Sequence, residues 1–246
     1  MSVLGVIPAR LESTRLPQKM LLRDTGKPLI QHTWENASKC VALSDLIIAT
    51  DSDLIEESAI SFGANVVRTG KCESGTDRVA AAVKNFAHDI VVNIQGDEPE
   101  LDPASLQKLI DQMASDEGCN VATLAAPSLG AANRKLDIRS TEIVKVILDH
   151  SSNAIYFSRL PIPFAKENCI HSPTFFHIGV YAFRRPFLFE FQNWKRTPLE
   201  RSEGLEQLRI LEYGHRIKVV VVDSFQPGID TLSDYHAFVK RLGGAT

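Results

Sequence analysis

Three cations crowd the loop that follows the first apolar run of this chain. Val3 to Ile7 is hydrophobic, and Arg10, Arg15 and Lys19 come next in Pro8-Ala9-Arg10-Leu11-Glu12-Ser13-Thr14-Arg15-Leu16-Pro17-Gln18-Lys19. In open α/β sheets, ligands bind just outside the carboxyl ends of the strands. Arg grips phosphate oxygens as a fork, and Lys serves as a flexible point charge. Cations delivered to a strand's end therefore suit a polyphosphate; the plainer alternative is a solvated basic loop.

Two acidic motifs offer the complementary chemistry. Ile94-Gln95-Gly96-Asp97-Glu98-Pro99 directly follows the apolar run Ile90-Val91-Val92, so Asp97 sits at a strand tip. Mg²⁺ takes one or two carboxylates together with substrate phosphates and water, which makes Asp97 a candidate ligand. The competing reading is a turn, since Gly, Asp and Pro are all turn residues. Gly228-Ile229-Asp230-Thr231 supplies a second carboxylate, which either joins the same metal or caps the last helix.

Two further groups concern recognition. In Ser74-Gly75-Thr76-Asp77-Arg78, the start of a helix near Thr76 offers free N–H groups, and glycine permits close approach. A plain N-cap explains Ser, Thr and Asp equally well. It does not explain Arg78, whose charge opposes the helix macrodipole, so Arg78 is expected to point at an anionic ligand. Arg159, His177, Tyr181, Glu206 and Gln207 supply the mixed donors and acceptors that a sugar acid needs. Against that, a His on an apolar strand is commonly a satisfied core residue, and Glu206 has Arg209 in reach for an i,i+3 pair.

The elements that position these residues follow a β-α-β alternation. Leu46 to Ala49, Asn65 to Val67, Ile90 to Ile94 and Val121 to Ala125 read as strands. Helical spacing recurs at Ile30, Trp34 and Ala37, at Val79, Val83 and Phe86, and at Leu106, Leu109, Ile110 and Met113. The pattern predicts an α/β fold with a mainly parallel sheet flanked by helices. Further on, Ile143 to Leu148 and Phe175 to Phe183 read as strands separated by loop-like, Pro-containing sequence, with a short loop at 166–173. A charged helix over Gly204 to Tyr213, a strand at Val219 to Val222 and a helix from Thr231 to Leu242 complete the chain. One domain is expected, with a nucleotide half over 1–125 and a sugar half over 126–246.

Composition excludes several classes. The 246 residues are 44% hydrophobic and 23% charged, with a net charge of -3, which gives no reason to expect nucleic acid or membrane as a partner. No apolar run approaches the ~20 residues of a membrane helix. Cys40, Cys72, Cys119 and Cys169 are widely spaced, which fits reduced thiols rather than zinc or a disulfide scaffold. There is no signal-peptide pattern, and a cytoplasmic location is expected.

Taken in order, these motifs resemble the 3-deoxy-manno-octulosonate cytidylyltransferases (CMP-KDO synthetases) over nearly the whole chain. The matching segments are Ile7-Pro8-Ala9-Arg10 with Ser13 to Pro17 and Lys19, Ser74 to Arg78, Gln95 to Pro99, Tyr156 to Arg159 with Pro161-Ile162-Pro163, His177 to Tyr181, Leu205 to Arg209, and Gly228 to Thr231. The resemblance implies a GT-A-type fold, a homodimer, and the joining of CTP to an acidic 3-deoxy sugar with loss of pyrophosphate. It implies that Lys19, Asp97 and Asp230 are catalytic, with Mg²⁺ on the two carboxylates. Ala9, Arg10, Arg15, Lys19, Ser74 and Gln95 would bind the nucleotide. Arg78, Arg159, His177, Tyr181, Glu206 and Gln207 would bind the sugar. Three positions depart from the family pattern: Gln18 stands where Gly is common, Met20 where Pro is common, and Leu232 where Pro follows the Asp-Thr pair. The rival readings are a cytidylyltransferase for a different acidic sugar, a glycosyltransferase using Asp51-Ser52-Asp53, and a non-catalytic nucleotide-binding regulator. In the glycosyltransferase reading Asp53 would be a metal ligand; otherwise it is expected to cap a helix.

Overall fold

A computed structural model describes all residues except 14, 130–135, 165–173, 224–225 and 244–246. Thr14, Cys169 and the short loop at 166–173 lie outside the described residues. The chain divides into two compact units, Met1–Gln107 with Gln226–Thr246, and Lys108–Phe225. The C-terminal segment that carries Asp230 thus belongs with the N-terminal strands.

The first unit holds four parallel strands: β1 (Val3–Ala9), β2 (Asp45–Thr50), β3 (Asn65–Arg68) and β4 (Ile90–Asn93). β1 pairs with both β2 and β4, and β2 pairs with β3. The order 3-2-1-4 places the reversal of winding between β1 and β4. A crevice opens at such a switch point, at the carboxyl ends of the two strands. All of β1 and β4 is buried, as continuous apolar runs in parallel sheets require.

Helices α1 (Leu29–Ala37), α2 (Asp53–Ser61) and α3 (Gly75–Ala82) connect these strands. α2 is capped by Ser52, whose hydroxyl accepts from Ile55 N. This corrects the expectation that Asp53 caps it; Asp53 is the first helical residue, where its charge suits the macrodipole. Helix α4 (Pro103–Ser115) follows β4.

The second unit is built from β5 (Val121–Pro127), β6 (Lys145–Leu148), β7 (Ala154–Ser158), β8 (Thr174–Arg184) and β9 (Lys218–Val221). β5 pairs antiparallel with β8 and parallel with β9, and β6 pairs antiparallel with β7 and β8. Strand β7 was not anticipated, because its burial alternates only weakly and prolines follow it. Helix α5 (Arg185–Gln192) was likewise unanticipated. The helix expected over Gly204 to Tyr213 is α7 (Gln207–Glu212), and a further helix before it, α6 (Pro198–Glu203), was not anticipated. Gly204 separates them in the left-handed region at φ 63°, a conformation that ends a helix and that glycine adopts without a Cβ penalty.

The last helix, α8 (Leu232–Arg241), returns to the first unit. Its Tyr235, Phe238 and Val239 pack with Leu16, Leu29 and Ile229 in one buried cluster. This cluster anchors Leu16 and Ile229, the immediate neighbours of Arg15 and Asp230. Apolar burial therefore sets where two charged residues stand.

Candidate active site

Lys19 is the centre of the site. It opens a short 3-10 turn, Lys19–Leu21, just beyond the carboxyl end of β1. Only 6% of the residue is exposed. Its Nζ donates to Asp97 Oδ2 at 2.7 Å and to Asp230 Oδ1 at 3.1 Å. Arg15 adds a second cation to Asp230, with 3.0 Å between Nη2 and Oδ1. Two carboxylates separated by more than a hundred residues thus meet at one ammonium.

Local structure explains the meeting. Gly96 lies where a Cβ would come within 3.1 Å of Met20 Sδ and 3.3 Å of the Pro8 carbonyl. Its bareness lets the loop after β4 run under the β1 loop. Thr33 in α1 donates to the Gly96 carbonyl at 2.8 Å, which fixes that loop from below. The Ile229 N–H donates to the Asp97 carbonyl at 2.8 Å, joining the two acidic segments through the backbone. Gln18, immediately before Lys19, has φ 52° and ψ 27°. This is the left-handed region, and it accounts for the glycine the family pattern has there.

The capping alternatives separate cleanly. Asp230 does not cap α8; Thr231 does, with Asp234 closing a capping box. Asp97 directs a carboxylate oxygen at Lys19. Ser74, by contrast, caps α3, accepting from Asp77 N at 3.1 Å, while Asp77 accepts from Ser74 N. Arg78 is buried at 4% exposure. Its anion comes from the chain itself: Nη2 meets Asp51 Oδ2 at 2.9 Å, and Nη1 donates to Thr69 at 2.6 Å. The conflict with the helix dipole is met by Asp51, at the carboxyl end of β2. Ala9 is buried at the end of β1, Arg10 is exposed beyond it, and Gln95 Nε2 lies 3.5 Å from Asn93 Oδ1.

The remaining candidates lie in the second unit. Arg159 follows β7, where its Nε donates to the Glu203 carbonyl and its Nη1 to the Thr141 carbonyl, each at 2.9 Å. Glu203 also accepts from Ser158 Oγ at 2.7 Å and from Arg159 N at 2.9 Å. His177 is 9% exposed on β8, with an edge-on contact to Phe157 and a tilted one to Tyr181. Burial holds its pKa down at about 3, so the ring is neutral. Glu206 and Gln207 begin α7, which lies against β7. Glu206 Oε1 is 3.7 Å from Arg209, while the shorter contacts of Arg209 go to Glu200, including Nε to Oε2 at 2.8 Å.

Sequence reasoning missed two groups here. Lys145 is completely buried and donates to the carbonyls of Ser140 at 2.8 Å, Ile143 at 2.7 Å and Arg159. The signal was a lysine opening an apolar strand, since a buried ammonium must find acceptors. Thr123 is the lone hydroxyl inside an apolar strand, and it bonds His177. Among the described residues, no three His, Cys, Asp or Glu side chains cluster as a metal site. Asp97 and Asp230 share the ammonium of Lys19.

This geometry has close relatives. A family model described as Cytidylyltransferase matches residues 4–217. A 3-deoxy-manno-octulosonate cytidylyltransferase of Protochlamydia amoebophila is 41% identical over 98% of this chain and 94% of its own length. The chain belongs to this family. A second member, from Solibacter usitatus, is 42% identical with the same coverage of both chains. Among solved structures, a CMP:2-keto-3-deoxy-manno-octonic acid synthetase complexed with CTP superposes with a TM-score of 0.91. It is 34% identical, and the match covers 99% of each chain. The chain is thus a nucleotidyltransferase of the octulosonate cytidylyltransferase family, with its mixed α/β fold. No described helix is long and apolar enough to cross a membrane.

Proposed function

We propose that this chain joins CTP to 3-deoxy-D-manno-octulosonate, giving the CMP-sugar and pyrophosphate, and so activates the sugar for the lipopolysaccharide core. The observation that carries this reading is Lys19 bridging Asp97 and Asp230 beside Arg15, in a chain about 40% identical to enzymes of that name. The anomeric hydroxyl oxygen attacks the α-phosphorus in line. The bond from that phosphorus to the bridging oxygen breaks, pyrophosphate leaves with the bonding pair, and the hydroxyl proton goes to solvent. Such a reaction needs positioning and charge neutralisation more than covalent help.

Lys19, with Arg10 and Arg15, neutralises the triphosphate and the charge that grows on the leaving group. Ala9, Ser74 and Gln95 border the nucleotide; for Ser74 the contact comes from its backbone or from the accepting side of a hydroxyl already engaged in capping. Asp97 and Asp230 would hold Mg²⁺. They suit it, because two partly exposed carboxylates already converge on one cation and Mg²⁺ completes its shell from substrate and water. When bound, that ion supplies Lewis-acid polarisation and lowers the pKa of a coordinated alcohol. Arg159, His177, Tyr181, Glu206 and Gln207 grip the sugar acid. Arg78 acts through Asp51 and Thr69 as part of the same assignment. The family resemblance also supports a homodimer working in the cytoplasm.

Purified protein with CTP, Mg²⁺ and octulosonate should release pyrophosphate and form the activated sugar. Preferred turnover of an 8-amino octulosonate or of a sialic acid would overturn the sugar assignment. CTP binding without turnover of any of these would overturn the enzyme reading.

A further inference from the structure

The hydroxyl of Thr123 has one proton and three neighbours. Its Oγ1 lies 2.8 Å from the Val180 carbonyl, 3.2 Å from the Ile178 carbonyl and 3.0 Å from His177 Nε2. Carbonyl oxygens only accept, so the hydroxyl proton must go to one of them, and the shorter contact selects Val180. The lone pairs of Oγ1 then face His177, and only an N–H can satisfy them. Were Nε2 the acceptor instead, the hydroxyl oxygen would face two carbonyl oxygens with no proton between.

A break in sheet register creates this arrangement. Thr123 pairs with Tyr181, but Leu124 pairs with Ile178, so Gly179 and Val180 bulge out of β8. Bulges re-aim local groups and are frequent beside active sites. Here the bulge brings the carbonyls of residues 178 and 180 to the same hydroxyl. Thr123 itself is fully buried, so its hydroxyl is cut off from bulk solvent.

We propose that Thr123 is a positioning residue that fixes His177 as the Nε2–H tautomer, leaving Nδ1 as a hydrogen-bond acceptor for a sugar hydroxyl. The sugar part rests on the placement of His177 in the sugar site; the tautomer part does not. Burial that keeps the ring neutral is in accord, since an imidazolium would have no acceptor lone pair. The device needs no charged partner. A threonine hydroxyl, oriented by two backbone carbonyls, does what a carboxylate does for histidine elsewhere.

The test combines ¹⁵N NMR of histidine rings with steady-state kinetics. The His177 resonances are assigned by their loss in His177→Gln. In the wild type near neutral pH, Nε2 should be pyrrole-like and Nδ1 pyridine-like. The reverse pattern, or an imidazolium, overturns the proposal. In Thr123→Val, which keeps the shape and removes the hydroxyl, the tautomer should become mixed. The KM for the sugar should rise about tenfold, the loss of one oriented hydrogen bond, with the KM for CTP unchanged. Thr123→Ser should restore both readouts, and it keeps the proposal falsifiable if the valine variant folds poorly. An unaltered tautomer in Thr123→Val overturns the positioning role. A shifted tautomer with an unmoved sugar KM overturns instead the placement of His177 in the sugar site, as would a normal sugar KM in His177→Gln.

Discussion

Replacing Lys19 by methionine separates the two duties this residue carries. In the free protein its ammonium lies 2.7 Å from Asp97 and 3.1 Å from Asp230, in the space a divalent cation between those carboxylates would need. On the proposed function, a divalent cation held by these carboxylates would compete with the lysine for the same oxygens. Hydrogen bonds to charged groups contribute about 1.5–3 kcal/mol each. Asp97 and Asp230 are 26% and 33% exposed, which places these bonds at the lower end. Removing one bond's worth of competition, about 1.4 kcal/mol, is tenfold in affinity. Lys19→Met should thus bind Mn²⁺, measured by electron paramagnetic resonance without nucleotide, roughly tenfold tighter than the wild type. Its melting temperature should also rise more on adding Mn²⁺, because the metal replaces the lost cation between two carboxylates. On the proposed function, turnover should nonetheless fall by about 100- to 1000-fold, since the group assigned to the leaving charge is gone. Unchanged or weaker Mn²⁺ binding in Lys19→Met would refute the shared-seat reasoning.

Three other perturbations follow from the geometry. His177 is held at a pKa of about 3 when folded and returns to its ordinary 6.5 on unfolding, so the stability it contributes is present above pH 6.5 and drains away as pH falls toward 3, at about 1.4 kcal/mol per pH unit. Denaturant melts across this range should fall more steeply in the wild type than in His177→Gln by about that slope; equal slopes would contradict it. Gln18→Gly should match or exceed the wild type in thermal stability, whereas Gln18→Val should lose about 1–2 kcal/mol, because a β-branched side chain resists the left-handed backbone at φ 52°. Lys145→Met leaves three carbonyls without their buried donor and should cost about 3 kcal/mol of stability. That substitution should also raise the sugar KM by freeing the Arg159 backbone, so a wild-type sugar KM would sever Lys145 from substrate binding.

Much of the first unit was legible in the sequence, because parallel strands buried on both faces leave continuous apolar runs that periodicity catches. Ile90 to Val92 and Leu46 to Ala49 are such runs, and both are strands. The weak alternation of Ala154 to Ser158 hid β7, and the six residues of α6, ended by Gly204 at positive φ, are too few to show a helical period. At the site, the types and spacing of Arg15, Lys19, Asp97 and Asp230 pointed to one cluster, but their meeting depends on packing by Leu16 against Ile229 and Tyr235, from two distant segments. The role of Arg78 was half legible: the dipole conflict announced a nearby anion, and that anion is Asp51. Lys145 and Thr123 were overlooked because most of their partners are backbone carbonyls, which no side-chain pattern encodes.

Pyrophosphate release by Asp97→Asn and Asp230→Asn, measured with CTP, octulosonate and Mg²⁺ on samples of wild-type fold, tests the paired carboxylates most directly. Each single change should reduce turnover by about 100- to 1000-fold. Near-normal turnover in either variant would contradict the assignment of both acids to one catalytic cation.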